Sequence, residues 1–373
     1  MNINIWDWHY SIFFDKSIFK EVSLFISRLK PEEQEIYLRI RDFYMSFFSI
    51  TQLIDAIKNS PEKENDLISF AVSQADRLIY TPNLLQKHIA PAMATNKRLA
   101  SLIDISRHSS YHPDYQGFCS ELYGPLFLDI ERSIYKVSEK EIVDHGDGVN
   151  TLNIPTFVQT ELNDITHCES IHKNSGKPCL KNYDIEIQNS QGYAEWWDRS
   201  LLNGQRDKLV IKINQDSMYK NDLIYTLYHE VYPGHGHFYN RLAHNPVCGF
   251  DHGAISLIEG WATYCEWNTL PSAYISSIKN NALLLLKESF SHTGDDRADK
   301  IYNLKRALGY SAEESLRTVL YTSQYIGYLE DYYLGALWIE SYLKHRDKTP
   351  YEFLEMLANK TVGEFYKIWQ MTY

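Results

Sequence analysis

Residues 221–240 read NDLIYTLYHEVYPGHGHFYN, and residues 253–267 read GAISLIEGWATYCEW. In the first stretch Leu223 and Leu227, then Ile224 and Tyr228, recur at the spacing of one helical face, and Asn221 is suited to cap that helix. His229 and Glu230 therefore ride on a helix. An imidazole able to bind a divalent ion, followed at once by a carboxylate able to take a proton from the water that the ion activates, is half of a zinc-hydrolase signature.

The second half is displaced. In the common arrangement the next histidine follows after four residues, about 40° around the helix, and shares the first one's face. Here His235 follows after six residues, which on a straight helix places it about 120° away. Pro233 and Gly234 stand between them: proline removes an amide donor and clashes with the preceding turn, while glycine accepts unusual dihedrals. A break at this pair can loop out the surplus residues and return His235 to the side of His229.

A catalytic zinc takes three protein ligands and keeps one position for water. Glu259, 24 residues beyond His235, is the candidate third ligand. Ile255, Ile258, Trp261, Ala262 and Cys265 give its helix a buried face, and a carboxylate held at that depth needs a cation or donors to offset its desolvation. His237 is weighed as another ligand, although the surface or a supporting position behind the site suits it better. Gln324, Tyr328 and Tyr332 fall at four-residue intervals, on one helical stripe. Tyr332 is the candidate donor to a developing oxyanion, in a chain whose 28 tyrosines also leave it an ordinary packing role. His167, Cys168, His172 and Cys179 cluster without the spacing of a familiar zinc finger, so a loop over the cleft is the plainer reading.

Working outward, residues 1–140 read as helices, with helical periodicity over Ile18 to Leu29, Glu32 to Ile54 and Leu67 to Ile79. Residues 141–220 are richer in Gly, Asn and Pro and carry β-type runs at Thr156–Val158 and Leu209–Ile213, so a small-sheet or irregular region is expected there. Residues 221–373 return to helix. Without repeats or a polar linker, the expectation is a single catalytic domain over 1–373 and a mainly α fold.

With 44% apolar residues the chain can bury a large core. A net charge of −11, from 37 basic and 48 acidic residues, speaks against nucleic-acid or anionic-membrane partners, which require a concentrated positive face. The aromatic N-terminus is broken by Asp7, His9, Asp15 and Lys16 before it reaches a spanning length, and no signal-peptide pattern is read in it. Five scattered cysteines suit reduced thiols and a cytoplasmic setting.

The blocks His229-Glu230-Val231-Tyr232-Pro233-Gly234-His235 and Glu259-Gly260-Trp261-Ala262-x-Tyr264-x-Glu266 resemble the two signature segments of the bacterial family called domain of unknown function 885. The likeness is carried by residues 205–335, including the strand-like Lys208 to Asn214 before the metal helix, and is weak over the first 140 residues. That family is regarded as a set of zinc metallopeptidases with a gluzincin-like helical core. The resemblance implies one zinc ion on His229, His235 and Glu259, with Glu230 as general base. Two features depart from the family pattern: Arg306 stands where many members have a histidine before an Ala-Leu-Gly-Trp-like segment, and the late Gln…Tyr-x-x-Gly block is matched only loosely by Gln324 and Tyr332 to Gly335.

The expected activity is hydrolysis of an amide bond in oligopeptides or a peptide tail. A hydrolase of a non-peptide amide, a dedicated peptide-maturation enzyme, and an inactive peptide-binding relative are the rivals; the last would be expected to have lost Glu230 or a ligand. A site of two imidazoles and one carboxylate also accepts other divalent ions.

Overall fold

The computed structural model describes residues 22–44, 126–137, 139–178, 180, 183–188, 194–197, 206–212, 217–242, 255–269, 272–292, 294–324 and 328–357. The fold is mainly helical. In chain order the described helices are α1 (Ser23–Arg28), α2 (Pro31–Tyr44), α3 (Leu126–Lys136), α4 (Ile154–His167), α5 (Glu169–Ser175), α6 (Lys220–Glu230), α7 (His235–Leu242), α8 (Ile255–Asn268), α9 (Ala273–Ser291), α10 (Gly294–Ala307), α11 (Ala312–Gln324), α12 (Tyr328–Arg346) and α13 (Pro350–Leu357). The helical expectations over Ile18 to Leu29 and Glu32 to Ile54 correspond to α1 and α2 where residues are described, and Leu67 to Ile79 lies outside them. Among the described residues, no helix is long and apolar enough to cross a membrane.

The centre of the molecule is the packing of α8 on α12. Trp261 and Ala262 of α8 are buried, as are Ala336, Trp338 and Ile339 of α12. Burial of bulky side chains on both helices drives the association. Glycine sets its closeness: a Cβ on Gly260 would stand 2.6 Å from the Gly335 backbone, so a side chain at 260 would push the two helices apart. Glu259 and Tyr332, near this crossing on the two helices, are thereby brought toward each other.

The strands are β1 (Gly148–Asn150), β2 (Tyr183–Gln188), β3 (Ala194–Trp197), β4 (Asp207–Lys212) and β5 (Ser217–Tyr219). β1 pairs antiparallel with β5, while β4 is the centre of a second sheet, parallel to β2 and antiparallel to β3. The second sheet supports the region where α6 gives way to α7. Trp196 of β3 is buried close to Gly236, where a Cβ would lie 3.0 Å from its ring, and Asn240 of α7 donates to Asp207 of β4 at 3.2 Å.

Two local expectations are corrected. Thr156–Val158 is not a strand but part of α4. Pro155 occupies the first turn, where its missing amide costs nothing. Val158 joins Ile154, Leu162 and Ile165 in burying one helical face, so tertiary burial outweighs β propensity. Residues 141–220 thus carry two helices as well as the strands. The cap of α6 is Tyr219 without a side-chain hydrogen bond, whereas Asn221 lies inside the first turn and donates to Asp144 O at 2.9 Å.

Candidate metal centre

α6 ends at Glu230 and α7 begins at His235. Across the gap the backbone makes wide bonds: Gly234 N donates to Tyr228 O at 3.0 Å and His237 N to Val231 O at 2.9 Å, each reaching two residues further back than an α-helix does. The Tyr232–Pro233 peptide is cis. Gly234 is pressed onto the end of α6, where a Cβ would fall 1.7 Å from His229 O. The looped-out residues carry His235 back to His229, and the two rings stand perpendicular with centroids 4.9 Å apart.

Glu259 closes the group from α8. One oxygen, Oε2, lies 3.4 Å from His229 Nε2 and 3.2 Å from His235 Nε2. Bonds of 2.0–2.2 Å to a tetrahedral metal separate neighbouring ligand atoms by about 3.3–3.6 Å, close to the distance of Glu259 Oε2 from each of the two imidazole nitrogens. Glu230 stands beside them: it, His229 and His235 each offer a ligand atom within 4.8 Å of the others'. This buried group could hold a metal ion. His235 Nδ1 is buried with no hydrogen-bond partner among the described residues, while its Nε2 faces Glu259.

Glu266, quoted in the second block but given no role there, is the residue that sequence reasoning missed. Its Oε2 lies 3.4 Å from His229 Nδ1, on the side of the ring opposite the Nε2 that faces Glu259. The signal was present: Glu259 and Glu266 are seven residues apart, within about 20° on the same helical face.

The electrostatics call for positive charge. Burial works against charging His229, yet its contacts with Glu259 and Glu266 and the nearby Glu230 carboxylate outweigh burial and raise its pKa to about 10. Burial would raise Glu259, but His235 and His229 hold its carboxyl well below the usual range. Protons on the imidazoles and a divalent cation are alternative answers to this surplus of carboxylates.

The other candidates separate. The Tyr332 ring stacks on His229 at 5.8 Å with 9° between planes, at the edge of the centre. Gln324 ends α11 and Tyr328 begins α12, so the proposed helical stripe is divided between two helices, and the side chains of Gln324 and Tyr328 lie outside the description. His237 is neither a ligand nor on the surface. It is buried and bonds Ser175 O at 3.0 Å, and burial together with the Arg241 charge brings its pKa down to about 3, so it stays neutral. His167 and His172 bond the backbone carbonyls of Asn163 and Thr166 at 2.7 and 2.8 Å. Cys168 meets Ser170 at 3.1 Å, and Cys179 lies outside the described residues. No second metal group is found among the described residues.

No family model and no curated protein matches this chain. Among solved structures, the crystal structure of the "putative lipoprotein from Colwellia psychrerythraea" aligns with 93% of this chain at 12% identity and a TM-score of 0.41. The chain spans about half of that structure's length, 54%.

Proposed function

We propose that the chain is a metal-dependent amide hydrolase of the peptidase class, with one zinc ion held by His229, His235 and Glu259. The observation that carries this reading is that Glu259 Oε2 lies at tetrahedral-edge distance from the Nε2 atoms of both histidines. When bound, zinc supplies Lewis acidity, polarising the scissile carbonyl and acidifying a water molecule.

The protein's own groups divide the remaining work. Glu230, next in sequence to His229 and buried beside both imidazoles, takes the proton of the attacking water and delivers it to the leaving amine. Tyr332, stacked on His229, supplies a hydroxyl donor for the developing oxyanion. Glu266 holds the His229 ring from behind. The free thiols Cys168 and Cys265 suit a reducing, cytoplasmic location.

The test is cleavage of a peptide library by zinc-loaded wild type and Glu230→Gln. Equal zinc content with turnover reduced roughly 10²- to 10⁴-fold in the variant is expected. Absence of cleavage by the wild type, or equal cleavage by both, overturns the reading.

A further inference from the structure

A groove with no residue in common with the metal centre lies between the helical wall of α4 and α5 and the strand β2. Its volume is about 1160 Å³, above the roughly 300–1,000 Å³ typical of sites for small ligands. Thr166 of α4 and His172 and Lys173 of α5 stand on the helical side. Hydrogen bonds hold that side in shape: Thr166 Oγ1 donates to Leu162 O at 2.7 Å, and His172 Nε2 bonds Thr166 O at 2.8 Å.

The strand contributes Tyr183, Asp184 and Ile185. Successive strand side chains point to opposite faces of a sheet, so three consecutive residues bordering one groove place it along the edge of the strand rather than over a face. β2 has such an edge. In the order β2-β4-β3 it is the terminal strand, paired with β4 on one side and with no strand on the other among the described residues. Along an unpaired edge every second residue turns its N–H and C=O outward, and these groups can take up an extended chain as a further strand.

The lining is also charged. Arg206 pairs with Asp184 at 3.1 Å and donates to Tyr183 O at 3.2 Å. Lys173 and Lys177 are exposed and have no ion-pair partner among the described residues; Glu169 is the carboxylate set against them. Three cations (Lys173, Lys177 and Arg206) thus face two carboxylates (Glu169 and Asp184), a local positive excess in a chain of net charge −11.

We propose that this groove binds an acidic peptide segment in extended conformation, which adds to the outer edge of β2 and sets its carboxylates against Lys173 and Lys177. The volume suits a chain of several residues better than a small anion, and the strand edge offers main-chain partners matched to a peptide. The proposal goes beyond the hydrolase reading and does not depend on it, since no metal-centre residue lines the groove.

The test uses the whole chain without added metal and four acetylated, amidated six-residue peptides. They are alternating Thr-Glu, alternating Thr-Gln, and the Thr-Glu peptide N-methylated either at its Thr amides or at its Glu amides. Affinities are read by calorimetry at low salt. The Thr-Glu peptide is expected to bind roughly 5-fold or more tightly than Thr-Gln, and Lys173→Met/Lys177→Met is expected to abolish the difference. Only one set of alternate amides faces β2 in an added strand, so one methylated peptide should lose binding and the other keep it. No binding of the Thr-Glu peptide, equal affinity for Thr-Glu and Thr-Gln, discrimination that survives the double substitution, or equal affinity of the two methylated peptides each overturns the proposal.

Discussion

The indole nitrogen of Trp261 donates a hydrogen bond of 2.9 Å to the carbonyl of Pro233. Trp261 is fully enclosed, and Pro233 is buried in the break between α6 and α7. The helix carrying Glu259 is thus fastened to the break that returns His235 to His229, and the two sequence blocks are coupled by one buried bond.

Trp261→Phe keeps most of the apolar volume and leaves the Pro233 carbonyl without that donor. A loss of about 1–3 kcal/mol in denaturant unfolding is expected. Zinc affinity, measured against a competing chelator, should fall roughly 10-fold because the second histidine is held less firmly. Unchanged affinity in a folded variant would mean that the break keeps its shape without the indole.

Gly234→Ala and Gly294→Ala separate two uses of glycine. At Gly234 the added Cβ meets His229 O at 1.7 Å, and the backbone must shift at a ligand residue, so a destabilisation of at least about 3 kcal/mol with loss of zinc is expected. Gly294 has φ +54 and open space around the added atom, so its alanine variant should lose roughly 1 kcal/mol and keep its zinc. Thermal unfolding and metal analysis of the pair decide the matter, and similar losses at both sites would contradict the packing described at Gly234.

Glu266→Gln retains the shape of the side chain and removes its charge from His229 Nδ1. Zinc affinity is expected to fall 10- to 100-fold, roughly the range for carboxylates that orient ligand histidines, with little change in unfolding temperature. Competition titration checks this, and wild-type affinity would exclude a supporting role for Glu266.

Lys305→Met tests the cost of an ammonium sheltered among tyrosines. Its folded pKa of about 8 lies below the ordinary lysine value of 10.5, so the unfolded chain binds more protons between these values and stability rises with pH through that window. The cost is fully present below pH 8. After allowance for partial solvent contact, Lys305→Met should gain on the order of 1 kcal/mol at pH 7, roughly 1–3 °C in unfolding temperature. The gain should shrink as pH rises toward 10.5; a gain that stays constant with pH would assign it to packing instead.

The metal centre was legible because its chemistry is local. His229 and Glu230 are adjacent, and Pro233 and Gly234 announce the break that the spacing of His235 requires. Glu259 was proposed from its buried helix, whereas Glu266 was missed although its seven-residue interval from Glu259 places it on the same face. Long-range packing was not legible. Nothing in the sequence says that Gly260 meets Gly335, the approach that sets α8 against α12 and brings Tyr332 near His229. Thr156–Val158 misled for a related reason: Val158 belongs to a helical face shared with Ile154, Leu162 and Ile165.

The most direct measurement is the zinc stoichiometry of purified wild type, His235→Ala and Glu259→Ala after gel filtration, with affinities from chelator competition. One tightly held ion per wild-type chain is expected, with both variants bound at least ~100-fold more weakly while retaining helical content. A wild-type chain that takes up no metal, or an ion held as firmly when Glu259 or His235 is removed, would contradict a centre in which these two side chains and His229 grip the same cation.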